Sequence, residues 1–310
     1  MNEVTVHAPA TVANVVCGFD CLGFALNEPF DEMTVRLIEE KTVRVSHKDK
    51  FGLPTETEKN VAGVVLLSML EKINETVGFE IEITKGIKPG SGIGSSAASA
   101  AGAAVAANRL LNNRFSKIEL VEFARNGEFS ACGSRIADNV SACIFGGFTL
   151  VRATEPVADV IALDFPKLFA TVIHPQIEIK TSEAREVLPE NISLPTAIRQ
   201  WGNVGALVAG LQKKDYDLIA RSLEDFVAEP FRKKLIPHFE ELKNKSLIAG
   251  ALGGGISGSG PSVFMLSEDL ETAEKVENTM REIYSRTEID FNIYVSEINA
   301  EGVKIAEVRA

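Results

Sequence analysis

The stretch from Lys88 to Ser99, Lys-Pro-Gly-Ser-Gly-Ile-Gly-Ser-Ser-Ala-Ala-Ser, constrains this chain more than any other. Before it, Phe79-Glu-Ile-Glu-Ile-Thr84 alternates apolar and polar residues, which predicts a strand. After it, Ser95–Leu111 is rich in Ala, Ser and Gly and predicts a helix. A strand that turns through glycines into a helix gathers backbone amides, the hydroxyls of Ser95 and Ser96 and the positive end of a helix dipole at one point. That combination suits a polyphosphate. The small side chains from Ala97 to Ala104 let the helix lie close on a sheet and hold its N-terminus at the site.

Other readings of the stretch compete. A P-loop needs Lys followed by Ser or Thr after its second Gly, and Gly-Lys-Ser/Thr occurs nowhere in the chain. Gly92-x-Gly94-x-x-Ala97 has the form of a dinucleotide fingerprint. That fold also wants a second strand ending in an acid about 20 residues on, whereas here Asn112-Asn113-Arg114 leads into another helical pattern. A flexible loop before an alanine-rich helix is the plainest alternative. A second run, Gly253-Gly-Gly-Ile-Ser-Gly-Ser-Gly-Pro-Ser262, reads as a loop between strands at Leu247–Ala251 and Ser262–Leu266. Alone it is a turn; beside the first loop it could close over the same phosphates.

The rest of the chain mixes strands and helices without a regular βαβ alternation, which predicts α+β. Val4–His7 reads as an opening strand that stops at Pro9, and Met33–Ile38 and Thr42–Val45 as strands joined by a tight turn. Asn60–Ile73 has helical apolar spacing with Asn60 placed to cap it. Ser116–Arg125 and Asp138–Phe145 predict helices, and Gly147–Arg152 a strand. Beyond a soft boundary, which divides the chain into domains 1–158 and 159–310, strands are expected at Val160–Leu163, Phe169–Ile173 and Phe291–Val295. Helices are expected at Pro195–Gln212, Leu218–Ala228 and Glu271–Tyr284.

The composition, 45% hydrophobic and 24% charged, is that of a soluble globular protein. A formal charge of −11 argues against nucleic acid as a partner, and makes any phosphate site one of amides, helix ends and metal. No signal peptide or bilayer-length apolar run is evident, so neither a leader nor a membrane partner is expected. Cys17, Cys21, Cys132 and Cys143 lack companions spaced for a metal site and read as reduced thiols of a cytoplasmic protein.

Three separated motifs together resemble those of the GHMP kinases. They are Pro9-Ala-Thr-Val-Ala-Asn14 with Gly18-Phe-Asp20, then Pro89–Ala98, then Ile256-Ser-Gly-Ser-Gly-Pro-Ser262. The likeness is greatest to the homoserine kinase branch. It adds Asn60-Val-Ala-Gly63, Gly127-Glu128, Ala137-Asp-Asn-Val140 with Phe145-Gly-Gly147, Thr181-x-x-Ala184-Arg185 with Leu188-Pro189, and Glu229-Pro-x-Arg232-x-x-Leu235-Ile-Pro237. The resemblance runs nearly end to end.

It implies a two-domain α+β fold, with an N-terminal domain like ribosomal protein S5 domain 2 and a ferredoxin-like C-terminal domain. It implies ATP and Mg²⁺ as cofactors, homoserine as acceptor in threonine biosynthesis, and allows a homodimer. Carried over by residue, it puts the ATP phosphates on Pro89, Gly90, Ser91, Gly92, Ile93, Gly94, Ser95, Ser96 and Ala97. Mg²⁺ and catalysis fall to Ser96 and Glu128, and the nucleotide base to Asn60 and Lys85. The amino-acid substrate falls to Asn14, Asp20, Asn139, Arg185 and Arg232. Arg suits a carboxylate and Asp20 an ammonium, and one Glu beside a phosphate loop suffices for Mg²⁺. Another small alcohol, such as mevalonate, or a non-catalytic nucleotide sensor is the alternative. Two departures stand out: Ile93 replaces a usual Leu, and Ile136 stands where many homoserine kinases have His. No side chain is nominated as general base; Asp138 is a weak candidate, and His7, His47, His174 and His238 read as structural or exposed.

Overall fold

The computed structural model describes residues 2–73, 75–133 and 135–309. One sheet is built from β1 (Glu3–Ala13), β2 (Leu22–Ile38), β3 (Val43–His47), β4 (Gly78–Thr84) and a C-terminal strand β11 (Lys304–Arg309), in the order β11-β1-β2-β4-β3. β5 (Phe148–Ala153) pairs with the start of β2, and β6 (Asp159–Leu163) pairs with β5. Two strands of this sheet, β6 and β11, thus come from beyond residue 158.

Helices α1 (Val61–Lys72), α2 (Ser95–Leu110) and α4 (Asp138–Phe145) pack with this sheet, and α3 (Lys117–Cys132) packs on these three helices. α2 is central: Ala97, Ala98, Ala100, Ala101, Ala103 and Ala104 are all fully buried. Methyl groups this small allow the helix axis to approach β1 and β2 closely, as the sequence predicts. Asn60 caps α1 by accepting from the Gly63 amide at 3.2 Å. Ser116 and Glu119 form a capping box at the start of α3.

The second sheet has β7 (Phe169–Pro175), β8 (Gly253–Ile256), β9 (Val263–Ser267) and β10 (Phe291–Glu297) in the order β10-β7-β9-β8, all antiparallel. α9 (Phe239–Ile248) precedes β8, and α10 (Leu270–Tyr284) joins β9 to β10. This is the split β-α-β-β-α-β arrangement of a ferredoxin-like unit, as expected. Its first crossover is enlarged by α5 (Thr181–Glu186), α6 (Leu194–Lys213), α7 (Tyr216–Ser222) and α8 (Glu229–Arg232). Among the described residues no helix is long and apolar enough to cross a membrane.

Several local expectations are corrected. β1 does not stop at Pro9 but runs to Ala13, because the register shifts between Pro9 and Thr11 and a strand tolerates Pro at such an irregularity. β2 and β3 are not a hairpin; β4 lies between them, antiparallel to β2 and parallel to β3. The helix from Leu218 ends at Ser222, since Asp225 captures the amides of Val227, Ala228 and Glu229 at 2.7–3.3 Å. Leu247–Ala251 is the end of α9 and a turn, while Gly253–Ile256, read as loop, is itself a strand. A Cβ on Gly254 would lie 2.0 Å from the Phe264 carbonyl oxygen, so glycine is what permits that pairing. β11 carried no alternating apolar signal, and its residues are largely exposed.

Candidate active site

A cavity of about 410 Å³ opens between the two sheets' units. Gly90, Gly92 and Gly94 lie at its wall with φ of 75°, 80° and 71°. Gly94 is the residue before α2, and the first intrahelical bond runs from the Ala98 amide to the Gly94 carbonyl at 2.8 Å. The amides of Ser95, Ser96 and Ala97 precede that bond, so the helix gives them no partner. Side chains of Ile93 and Ala97 are in the core, 1% and 0% exposed, which leaves only their backbone for a ligand.

The second glycine-rich segment packs on the first. Ser257 Oγ donates to the Gly92 carbonyl at 2.7 Å and Ser262 Oγ to the Ser91 carbonyl at 2.6 Å. A Cβ on Gly92 would sit 2.4 Å from the Gly260 carbonyl oxygen. The loop at 257–262 therefore braces the phosphate loop from behind, and its Gly258 and Ser259 reach the cavity.

Ser96 and Glu128 meet at the cavity wall, joined by a hydrogen bond. Burial pushes the Glu128 carboxyl above its usual range, against the lowering effects of that bond and of the Lys85 charge. The oxygen pair suits Mg²⁺, which takes one or two carboxylates together with phosphate oxygens. Among the described residues no group of three or more His, Cys, Asp or Glu side chains forms an all-protein metal site. Cys17, Cys21 and Cys143 are free thiols, and the Cys132 side chain lies outside the described residues.

Lys85 lies beneath the start of α2. Its ammonium pairs with Asp31 and donates to the Ser95 carbonyl at 2.7 Å and Ser99 Oγ at 2.9 Å. An ammonium has three donors, so the Lys85 side chain is committed as a strut under the start of α2 at the wall of the cavity. Asn60 is similarly committed: its amide nitrogen donates to the Pro54 carbonyl at 2.7 Å and His47 Nε2 at 3.0 Å. It thereby pins the segment that brings Leu53 and Pro54 to the cavity. His47, read from sequence as structural or exposed, is in this wall, with Nδ1 against Asp49 at 3.2 Å. An isolated histidine gives no sequence signal of such a placement.

Charged groups also line the cavity. Arg185 Nη2 bonds both oxygens of Asp20, at 3.1 and 3.0 Å. Arg232, 4% exposed, is held by the Ala184 carbonyl at 2.8 Å and the Gly258 carbonyl at 3.0 Å. The Phe19 ring lies 5.8 Å from the Arg185 guanidinium and 4.9 Å from that of Arg232. Asn14 bonds the Gly258 carbonyl at 2.8 Å and receives the Asp20 amide at 3.0 Å. Asn14, Val15 and Val16 have φ of 72°, 40° and 61°. A left-handed run of non-glycine residues costs about 1–2 kcal/mol each, and here it turns Asn14 and Asp20 toward the same cavity.

Asn139 and Asp138 start α4 beside these groups. Asp138 accepts from the Asn139 amide at 2.8 Å, and burial, with the Asp20 charge next, raises its pKa to about 7. Ile136 also lines the cavity and brings an apolar surface there. Thus the expected residues from both halves of the chain converge on the cavity, except Ile93 and Ala97, which are packed in the core and do not line it. Sequence reading gave no site role to His47, to Thr181 or to the carbonyl of Gly258, although the last two lie within quoted motifs.

Comparison with known proteins places the chain in a family. Residues 60–147 match the GHMP kinases N terminal domain and residues 207–286 match the GHMP kinases C terminal domain. The chain is 48% identical to the homoserine kinase of Chlorobium phaeobacteroides, over 98% of this chain and 100% of that protein. It is 36% identical to that of Methanococcus vannielii, over 96% and 100%. A crystal structure of homoserine kinase from Cytophaga hutchinsonii superimposes with TM-score 0.94 at 48% identity, covering 98% of both chains. L. major mevalonate kinase, at 15% identity and TM-score 0.73 over 96% of each chain, shares the fold.

Proposed function

We propose that this chain, which belongs to the GHMP kinase family, transfers the γ-phosphoryl group of ATP to the side-chain hydroxyl of L-homoserine. The product is O-phospho-L-homoserine, for threonine biosynthesis. The observation that carries this reading is a single cavity lined by two sets of groups: the glycine-rich loop and the start of α2 with Ser96 and Glu128, and the charged and amide side chains of Arg185, Arg232, Asp20, Asn14 and Asn139. An α-amino acid carries opposite charges on neighbouring groups, and only a site with both signs close together satisfies it. Homoserine kinase relatives at 45–48% identity over nearly the whole chain support the same acceptor.

Phosphoryl transfer asks a protein mainly for positioning and charge stabilisation. The residues from Pro89 to Ser96, with the Ala97 amide, would cradle the triphosphate. Donors on a helix N-terminus provide that without a basic field, which a chain of charge −11 does not have. Ser96 and Glu128 would hold Mg²⁺, which neutralises charge on the phosphates when bound. Arg185 and Arg232 would take the acceptor's carboxylate and Asp20 its ammonium. Asn60, through Leu53 and Pro54, would shape the wall for the base, and Lys85 would keep the start of α2 in place.

The test is a coupled ADP-release assay across homoserine, mevalonate, galactose and shikimate. Homoserine should be turned over far faster than the rest. Turnover of mevalonate with none of homoserine would reassign the acceptor, and ATP binding without any turnover would make the chain a sensor.

A further inference from the structure

Thr11 is a fully buried polar residue in β1, between the phosphate loop and α4. Its amide donates to the Ile93 carbonyl at 3.1 Å, and its hydroxyl donates to Asn139 Oδ1 at 2.7 Å. Both side chains crowd the residue that opens α2. A Cβ built on Gly94 would be 2.0 Å from Thr11 Oγ1 and 3.1 Å from Asn139 Oδ1. The carboxamide oxygen of Asn139 is therefore turned toward the positive end of a helix, where an oxygen is favoured over an NH₂ group. With the oxygen fixed there, the NH₂ group is the end that Asn139 presents to the cavity it lines.

We infer that Thr11 is a positioning residue for phosphoryl transfer: its hydroxyl locks Asn139 as a hydrogen-bond donor toward the acceptor hydroxyl. This rests on the acceptor role given to Asn139 above. A hydroxyl nucleophile has two lone pairs. A donor on one orients the oxygen and leaves the other free to meet the γ-phosphorus, whereas a flipped carboxamide would compete for the hydroxyl proton and turn the oxygen away. Because the same threonine is tied to Ile93 and abuts Gly94, it sets the acceptor's orientation in the frame of the phosphate loop. The donor bond ends on a neutral amide, so the effect lies in orientation and not in acid–base chemistry.

The test is steady-state kinetics on the full chain carrying Thr11→Val, Thr11→Ser, Thr11→Ala or Asn139→Ala, with melting temperatures alongside. Thr11→Val keeps the shape and removes the hydroxyl. It should lower kcat roughly 10- to 100-fold, the size of an orientation defect, with KM for ATP nearly unchanged. Thr11→Ser should restore kcat to within about threefold, since the donor returns. If Thr11→Val does not fold, Thr11→Ala carries the same expectation. Wild-type kcat in a folded Thr11→Val or Thr11→Ala chain, with Asn139→Ala impaired, would overturn the positioning role and leave the acceptor role standing. Wild-type kcat in Asn139→Ala would overturn both. A parallel rise in KM for ATP and loss of kcat in all Thr11 variants, serine included, would reduce Thr11 to a packing residue.

Discussion

Gly90 and Gly94 share a left-handed backbone, φ 75° and 71°, yet differ in their surroundings, so alanine at each separates strain from space. An Ala Cβ at Gly90 meets nothing within 4 Å, whereas at Gly94 it falls 2.0 Å from Thr11 Oγ1. Reaching a normal separation of about 3.5 Å requires Thr11 or the loop to retreat by roughly 1.5 Å. The left-handed conformation costs about 1–2 kcal/mol at either position. Overpacking adds about 1–3 kcal/mol at Gly94 alone, for a total of about 2–5 kcal/mol. A large domain loses about 2–4 °C per kcal/mol. Gly90→Ala should then melt only a few degrees low, and Gly94→Ala roughly 4–20 °C low. The displacement also moves the first amides of α2, so ATP affinity measured by titration calorimetry should fall at least tenfold in Gly94→Ala and much less in Gly90→Ala. Equal melting losses and equal ATP affinities for the two variants would refute the close approach and, with it, the phosphate loop's dependence on it.

Glu128→Gln should lower kcat strongly while metal-free ATP binding barely changes; wild-type kcat at saturating Mg²⁺ would remove Glu128 from the metal site. Arg232→Ala should cut kcat/KM for homoserine by roughly 10- to 100-fold, because a charge-assisted bond contributes about 1.5–3 kcal/mol, with KM for ATP unmoved. Equal losses toward both substrates would instead make Arg232 a brace for the Gly258 carbonyl. Buried His174 has its pKa lowered to about 4, first by burial and then by the Lys88 charge. As pH falls, the unfolded chain takes that proton first, near its ordinary value of about 6.5, so stability is lost between there and about 4. Urea unfolding should therefore show about 2 kcal/mol less stability from this group at pH 5 than at pH 7. His174→Gln should flatten that slope, and an unchanged slope would reject the assignment.

What could be read from sequence was whatever announces itself locally. The strict alternation of Phe79–Thr84, the cap at Asn60 and the small residues after Ser95 are each a local signal of β4, α1 and α2. What escaped depends on partners distant in sequence. Gly253–Ile256 looks like a turn until Phe264 lies beside it, and β11 is exposed enough to show no pattern until β1 is there to pair with. At the site, motif resemblance located the converging residues but not how they are used. The resemblance puts Lys85 and Asn60 near the nucleotide base but does not reveal that their donors bind Asp31, Ser95, Ser99, Pro54 and His47. Thr11 sits inside a recognised motif, yet its link to Asn139 spans 128 positions.

The pairing of β11 with β1, Glu3 opposite Arg309, imposes an order on assembly. A chain emerging from the ribosome presents β1 and β2 before β11, so one side of β1 has no neighbour until Lys304–Arg309 has been made. Unpaired edges of this kind recruit strands from other molecules. A nascent or truncated chain ending near residue 158 would carry that open edge and would also lack β6. It should aggregate where the whole protein does not. The final strand thus acts as a latch that closes the N-terminal sheet only after the second sheet has been synthesised.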